Sequence, residues 1–201
     1  GCQITETVTV NALPSISAGS DVSTCSGTGV TLSGSGGTSY VWNNSVSNGV
    51  SFVPTSTTTY TVTGTDANGC ENTDDVVVTV HALPTISGTT TVCVDATTDL
   101  DGSGTPATSN PWTSSNNGIA TINSSGLVTG VASGTTTITY TNNNNCSITT
   151  TVTVNGGVGV SAGADLSLCS GTSVTLSGTG ASSYSWDNGV TNGTAFTPTT
   201  T

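Results

Sequence analysis

Residues 58–84 read TTYTVTGTDANGCENTDDVVVTVHALP. Tyr60 and Val62 alternate with Thr, and Val76, Val78 and Val80 again sit at every second position. Between the two runs lies a short piece rich in Asp, Asn and Gly. A period of two marks a strand with one buried face, whereas Asp66, Asn68 and Gly69 are turn formers. Thr fills the intervening positions because its branched Cβ suits a pleated surface while its hydroxyl faces water. The stretch predicts two strands joined by a turn, then a stop at Pro84, whose ring fixes the backbone.

Working upstream, the same pattern recurs in shorter pieces. Ile16 leads in, and GVTLSG places Val30 and Leu32 on one face. SYVWNN follows with Tyr40 and Trp42, then GVSFVP with Val50 and Phe52. Six or seven short strands around one Trp, with alternate residues inward and Thr or Ser outward, predict antiparallel sheets with one wet face packed as a small β-sandwich. The fold class read from the chain is all-β.

The pattern repeats along the 201 residues. Cys25, Trp42, Tyr60 and Cys70 form one ordered set, Cys93, Trp112, Tyr140 and Cys146 the next, and Cys169 with Trp186 begin a third. The period is roughly 70–75 residues, the scale of a repeated domain array. SAGSDVSTCSGTGVTLSGSGGTSYVW (17–42) and SAGADLSLCSGTSVTLSGTGASSYSW (161–186) are close copies, and the middle unit diverges. The opening GCQITETVTVNALP repeats the tail of the stretch quoted first. We therefore expect residues 1–13 to be the final strand of a preceding repeat. Complete units are expected over 14–83 and 84–156, and a partial one over 157–201. That organisation reads as a window on a longer array; the alternative is a free opening strand that completes a neighbour's sandwich.

Composition excludes several functions. The chain has no Lys or Arg, eleven acidic residues and one His, for a net charge of −11. Phosphate backbones are bound through cationic side chains, and anionic bilayers attract the same groups, so neither nucleic acid nor a membrane surface is an expected partner. No run approaches the ~20 apolar residues of a spanning helix. Catalysis built on a His-activated nucleophile would require His81, which falls in a linker whose counterparts are Asn11 and Asn155. That position reads as a polar hinge, and the chain is not expected to be an enzyme.

Six cysteines without Cys-x-x-Cys or Cys/His ligand spacing read as disulfides rather than a metal centre. The pairs expected within units are Cys25–Cys70 and Cys93–Cys146, each closing a loop that contributes ~4 kcal/mol in a chain-entropy account. Cys2 and Cys169 are left over. Disulfides also imply an oxidising, extracellular setting. Calcium candidates are Asp99 and Asp101 in DLDGSG and Asp66, Asn68, Asp74 and Asp75 in TDANGCENTDD, since Ca²⁺ takes such oxygens. Turn chemistry explains these residues equally, as it does the recurrent Asp21 and Asp165, and no cofactor is expected. Trp42, Trp112 and Trp186 are read as core aromatics, not sugar-stacking surfaces. Asn43, Asn123, Asn145 and Asn192 head glycosylation triplets.

These residues carry a resemblance. CSGTSVTLSGTGASSYSW, FTPTTT and YTVTGTDANGC resemble immunoglobulin-like/PKD-like repeats of large bacterial surface proteins, of the kind found in type IX-secreted adhesins of gliding bacteria. GIATINSSGLVTGVASGTTTITY (118–140) is similar to group 2 bacterial immunoglobulin-like domains of intimin- and invasin-type adhesins. The resemblance implies an elongated string of immunoglobulin-like sandwiches on the bacterial cell surface. Their partners would be neighbouring repeats of the same polypeptide or a homo-oligomeric fibre. The expected function is a stalk or filament segment that gives an adhesin length and stiffness, helped by short Pro-containing linkers. Alternatives are a glycan- or surface-binding module, with or without calcium, and a non-catalytic appendage of a secreted hydrolase.

Overall fold

The computed structural model describes residues 3–157 and 159–199, which contain strands and no helix. In the first unit the strands are β1 (Val22–Cys25), β2 (Val30–Thr31), β3 (Ser39–Trp42), β4 (Ser51–Phe52), β5 (Thr58–Thr65) and β6 (Glu71–His81). One sheet runs β1-β6-β5-β3 and the other is the pair β2-β4. They enclose a core of Ile16, Val30, Leu32, Trp42, Tyr60, Val62, Val76 and Val78. The Thr-rich alternation of β5 and β6 does what its period requires: Val62 and Val78 are fully buried while Thr59 and Asp75 are exposed. Val50, expected on the inner face, is instead 57% exposed, because β4 is confined to Ser51–Phe52 and only Phe52 reaches Tyr60, at 5.2 Å between ring centroids.

Three polar contacts fix the turns around this core. Trp42 Nε1 donates to Asn48 Oδ1 (3.0 Å), which also accepts from Gly34 N (2.7 Å). Tyr40 closes its own approach by donating to Gly37 O and accepting from Gly37 N. Asp74 lies opposite Val62, and its carboxylate accepts from Ala18 N at 2.8 Å.

The expected antiparallel pattern breaks at β1, which pairs parallel to β6 with Val22 opposite Val78 and Cys25 opposite His81. Asp21 guides it there, since its Oδ1 accepts from Val77 N (2.9 Å). This is a contact between distant segments, not the local turn bond expected of that residue. His81 is correspondingly no hinge: it ends β6, and its carbonyl accepts from Ser26 N (2.8 Å).

The second unit comprises β7 (Ile86–Gly88), β8 (Thr91–Cys93), β9 (Thr97–Gly102), β10 (Trp112–Ser114), β11 (Ala120–Ile122), β12 (Leu127–Gly130), β13 (Gly134–Thr141) and β14 (Ser147–Asn155). Its sheets run β10-β13-β14-β8 and β11-β12-β9-β7, around Leu100, Trp112, Ala120, Val128, Ile138, Tyr140, Val152 and Val154. Here β8 repeats the parallel pairing of β1, with Cys93 opposite Asn155. The aromatics do not repeat. Trp112 faces Tyr140, whereas Trp42 faces Val62, four residues before its turn, as Ile138 is before its own. Trp112 thus takes the place of Tyr40, and Tyr140 that of Gly64, where a Cβ would lie 2.2 Å from Ile16 Cδ1. A two-residue shift keeps the side chain on the same face of a strand, and the rings of Trp112 and Tyr140 pack 4.6 Å apart.

In the third unit β15 (Val174–Thr175) pairs with β16 (Ala195–Phe196), Val174 opposite Phe196 as Val30 is opposite Phe52. Trp186 Nε1 donates to Asn192 Oδ1 (3.0 Å), the contact that Trp42 makes with Asn48. Trp42 and Trp112 are buried, but Trp186 is half-buried. In the first unit β5 and β6 complete the core around Trp42, and among the described residues of the third unit the strands are β15 and β16. An open cavity of about 330 Å³ lies beside Leu166, Leu168, Leu176 and Trp186. Residues 3–13 join no sheet, and Ile4, Val8 and Val10 are exposed.

Candidate functional site at the cysteine-linked junction

The described residues hold one disulfide, Cys25–Cys146, with Cα atoms 5.6 Å apart. Both pairs expected within units, Cys25–Cys70 and Cys93–Cys146, are corrected by it. The reason is strand direction. Cys25 lies opposite His81, at the trailing end of β6, while Cys70 immediately precedes Glu71, at its leading end. Eleven residues of strand at ~3.3 Å each put the two cysteines roughly 35 Å apart, and a disulfide requires Cα atoms within about 7 Å. Likewise Cys93 lies opposite Asn155 at one end of β14 and Cys146 precedes Ser147 at the other. Each unit carries one cysteine at each pole, so a bond within the unit is out of reach.

Two local structures bring Cys25 and Cys146 together across the joint. On the first unit, β1 ends at Cys25, whose carbonyl accepts from Thr28 N (3.0 Å) in a tight turn. On the second, the β13–β14 turn is organised by Asn142, whose Oδ1 accepts from Asn144 N and Cys146 N, both at 3.0 Å. Asn145 takes φ 60°, a conformation that Asn tolerates. The turn is seated at the leading pole of its unit: Asn143 N donates to Thr105 O, and Ser103 N donates to Thr85 O. Between the poles run only Ala82, Leu83 and a buried Pro84. The units are therefore joined twice, through this linker and through sulfur.

The remaining candidates disperse. Asp66 Oδ1 accepts from Asn68 N (2.8 Å) and Cys70 N (2.9 Å), the bonding that Asn142 shows. Asp74 is held by Ala18 N, whereas Asp99 and Asp101 project from β9 into solvent. Among the described residues no group of three or more His, Cys, Asp or Glu side chains converges at metal-binding distance. Asn123 and Asn192, which head two glycosylation triplets, use their side-chain oxygens to accept backbone N–H bonds. Cys70 is half-buried, Cys93 and Cys169 are exposed, and none of the three is bonded. Cys2 lies outside the described residues.

Comparison with known families gives one match, over part of the chain. Residues 76–154 match the bacterial Ig-like domain (group 2). The match opens in β6 of the first unit and ends in β14, spanning the junction and the second sandwich. The sandwiches are immunoglobulin-like, and the chain is all-β throughout its described residues. Similar solved structures include an intimin mutant from EHEC O157:H7, 20% identical, covering 35% of this chain and 45% of that one, with a TM-score of 0.29. A C-terminal intimin fragment in complex with the intimin-binding domain of its translocated receptor is 23% identical over 58% of this chain and 51% of its own, with a TM-score of 0.36. The N-terminal eight Ig domains of Down Syndrome Cell Adhesion Molecule are 17% identical over 72% and 27%, with a TM-score of 0.44. The chain spans about half or less of these structures. Comparison with curated proteins gives no match.

The junction was missed in the sequence because repeat membership suggested the pairing. One signal was present: Cys70 heads an uninterrupted strand pattern that ends at His81, so nothing at the far pole of that unit can reach it.

Proposed function

We propose that this chain is a structural segment of an extracellular bacterial surface protein, a stalk in which immunoglobulin-like units set length and resist bending. The observation that carries this reading is the double connection between the first two units, a three-residue backbone linker and the Cys25–Cys146 bond. One tether leaves two bodies free to swivel, whereas a second tether at another point removes most relative rotations. The uncompensated charge of −11 supports it further, because like-charged side chains oppose folding back. In this reading the units are non-catalytic members of an array of PKD-like and group 2 repeats, exported to the cell surface as type IX adhesins are. Their lack of Lys and Arg denies trypsin-like proteases a cleavage site.

Small-angle scattering of the oxidised chain tests the proposal. The expected result is an elongated profile whose distance distribution becomes shorter and broader after reduction, and more so at high salt, where the repulsion between like charges is screened. A profile insensitive to reduction would overturn it. Reproducible binding to one class on a glycan array, abolished by a chelator, would favour a calcium-dependent binding module instead.

A further inference from the structure

Cys70 and Cys93 repeat the two halves of the junction in detail. In the turn before Cys70, Asp66 N donates to Cys70 O (3.0 Å), Gly69 N to Asp66 O (3.2 Å), and Asp66 Oδ1 accepts from Asn68 N and Cys70 N. In the turn before Cys146, Asn142 N donates to Cys146 O (3.0 Å), Asn145 N to Asn142 O (3.0 Å), and Asn142 Oδ1 accepts from Asn144 N and Cys146 N. Cys70 thus sits in the turn that presents Cys146 to Cys25. This turn lies at the leading pole of its unit, where Asn72 Nδ2 donates to Pro14 O (2.9 Å).

Cys93 matches Cys25 in the same way. Each ends a short strand parallel to the last strand of its unit. Ser26 N donates to His81 O (2.8 Å) where Val94 N donates to Asn155 O (3.0 Å). Thr28 N donates to Cys25 O (3.0 Å) where Ala96 N donates to Cys93 O (3.1 Å). The thiol of Cys93 is exposed beside an open groove of about 410 Å³ lined by Thr91, Thr97 and Asn155 at the trailing pole. On the first unit this pole is the one that meets the turn of the following repeat.

We propose that Cys93 is a docking thiol for the turn cysteine of the repeat that follows it in the same polypeptide, and Cys70 for the strand-end cysteine of the repeat that precedes it. Cys25–Cys146 is then one rung of a ladder in which consecutive units are stapled pole to pole. Cys169, whose turn bond from Thr172 N (3.1 Å) copies that of Cys25, belongs to the same class as Cys93. The partner is recognised chemically: a thiol on a four-residue Asx turn, delivered by a sandwich that a short linker holds against the trailing pole. Each rung forms as two thiols lose two protons and two electrons, which reduce a disulfide oxidant to two thiols through a mixed disulfide. The inference goes beyond the stalk reading, since the staple holds whether the array acts as a rod or displays binding surfaces.

The test extends the chain by a copy of its own residues 58–81 placed after Thr201, which supplies the third unit with the strands that β5 and β6 provide in the first. The unextended and extended chains are refolded with oxidised glutathione, cleared of glutathione mixed disulfides with a monothiol glutaredoxin, alkylated without further reduction, digested with pepsin and mapped by mass spectrometry. In the unextended chain we expect Cys25–Cys146 linked and Cys93 quantitatively alkylated. In the extended chain the added turn cysteine is linked to Cys93, whose alkylation falls to background. Linkage of the added cysteine to Cys169, or persistent full alkylation of Cys93, overturns the proposal. So does a reducible dimer through Cys93, which would place its partner in a second chain. The same map of the protein isolated from its source without reduction does not depend on folding of the extended version. Recovery of Cys93 as a free thiol there overturns the proposal too.

Discussion

Cys25 and Cys146, 121 residues apart in sequence, are joined through sulfur with their Cα atoms 5.6 Å apart. One ends the edge strand of one sandwich and the other follows the turn of the next. The bond couples two separate cores, and its removal acts on both. A loop of this length is stabilised by up to about 4–5 kcal/mol in a chain-entropy account. In calorimetry the Cys146→Ser variant should show two lower-melting transitions where the oxidised chain shows one. Unchanged melting on substitution would mean that the two units are thermally independent of the bond.

Asn48, itself exposed, satisfies two donors, the indole of the buried Trp42 and the Gly34 amide at the surface. Removing an acceptor leaves both without a protein partner, and a buried unsatisfied donor costs about 1–3 kcal/mol. Asn48→Ala should lower the unfolding free energy of the first unit, read from urea denaturation, by about 1 kcal/mol or more, with native-like Trp fluorescence retained at zero urea. A change below about 0.5 kcal/mol would show that water replaces the amide oxygen at no cost.

Two glycines with positive φ should respond oppositely. Gly126 has φ 95°, and a Cβ there would lie 2.1 Å from Leu100 O, so Gly126→Ala should destabilise the second unit by at least ~2 kcal/mol. Gly69 has φ 81° with nothing near its Cβ direction, and its counterpart Asn145 holds φ 60°. Gly69→Asn should therefore fall within ~0.5 kcal/mol of the parent. Chemical denaturation of both variants checks the contrast, which equal losses would contradict.

The carboxylate of Asp66 acts as a turn acceptor in the place where the second unit uses the amide of Asn142. Asp66→Asn should keep stability within ~0.5 kcal/mol, and Asp66→Ala should lose about 1 kcal/mol. Thermal melts with calcium and with chelator should coincide for all three. A calcium-dependent rise in melting temperature that Asp66→Asn abolishes would instead make this carboxylate an ion ligand.

Much of the fold was legible from alternation alone. The period-two runs at 58–65 and 71–81 are the two longest strands of the first unit, and Val62, Val76 and Val78 are its centre. What escaped reading depends on contacts rather than period. VSTC at 22–25 is too short to show alternation, and its parallel place on β6 is set by Asp21 reaching Val77. Trp112 looked equivalent to Trp42 because residue type was matched, but the register shifts it by two. The cysteine pairing was misread for a related reason. Sequence order shows which residues share a unit, whereas strand direction decides which pole each occupies.

A staple that bears load between the units is tested most directly by single-molecule stretching from the two ends of the chain. The 121 residues between Cys25 and Cys146 correspond to about 400 Å of extended chain. Without reductant this length should stay locked, so that unfolding extends only the residues outside the loop. Adding a thiol reductant under load should release a further step of about 400 Å, and the Cys25→Ser chain should show that length from the first pull. Full extension of the oxidised parent chain without reductant would contradict the account.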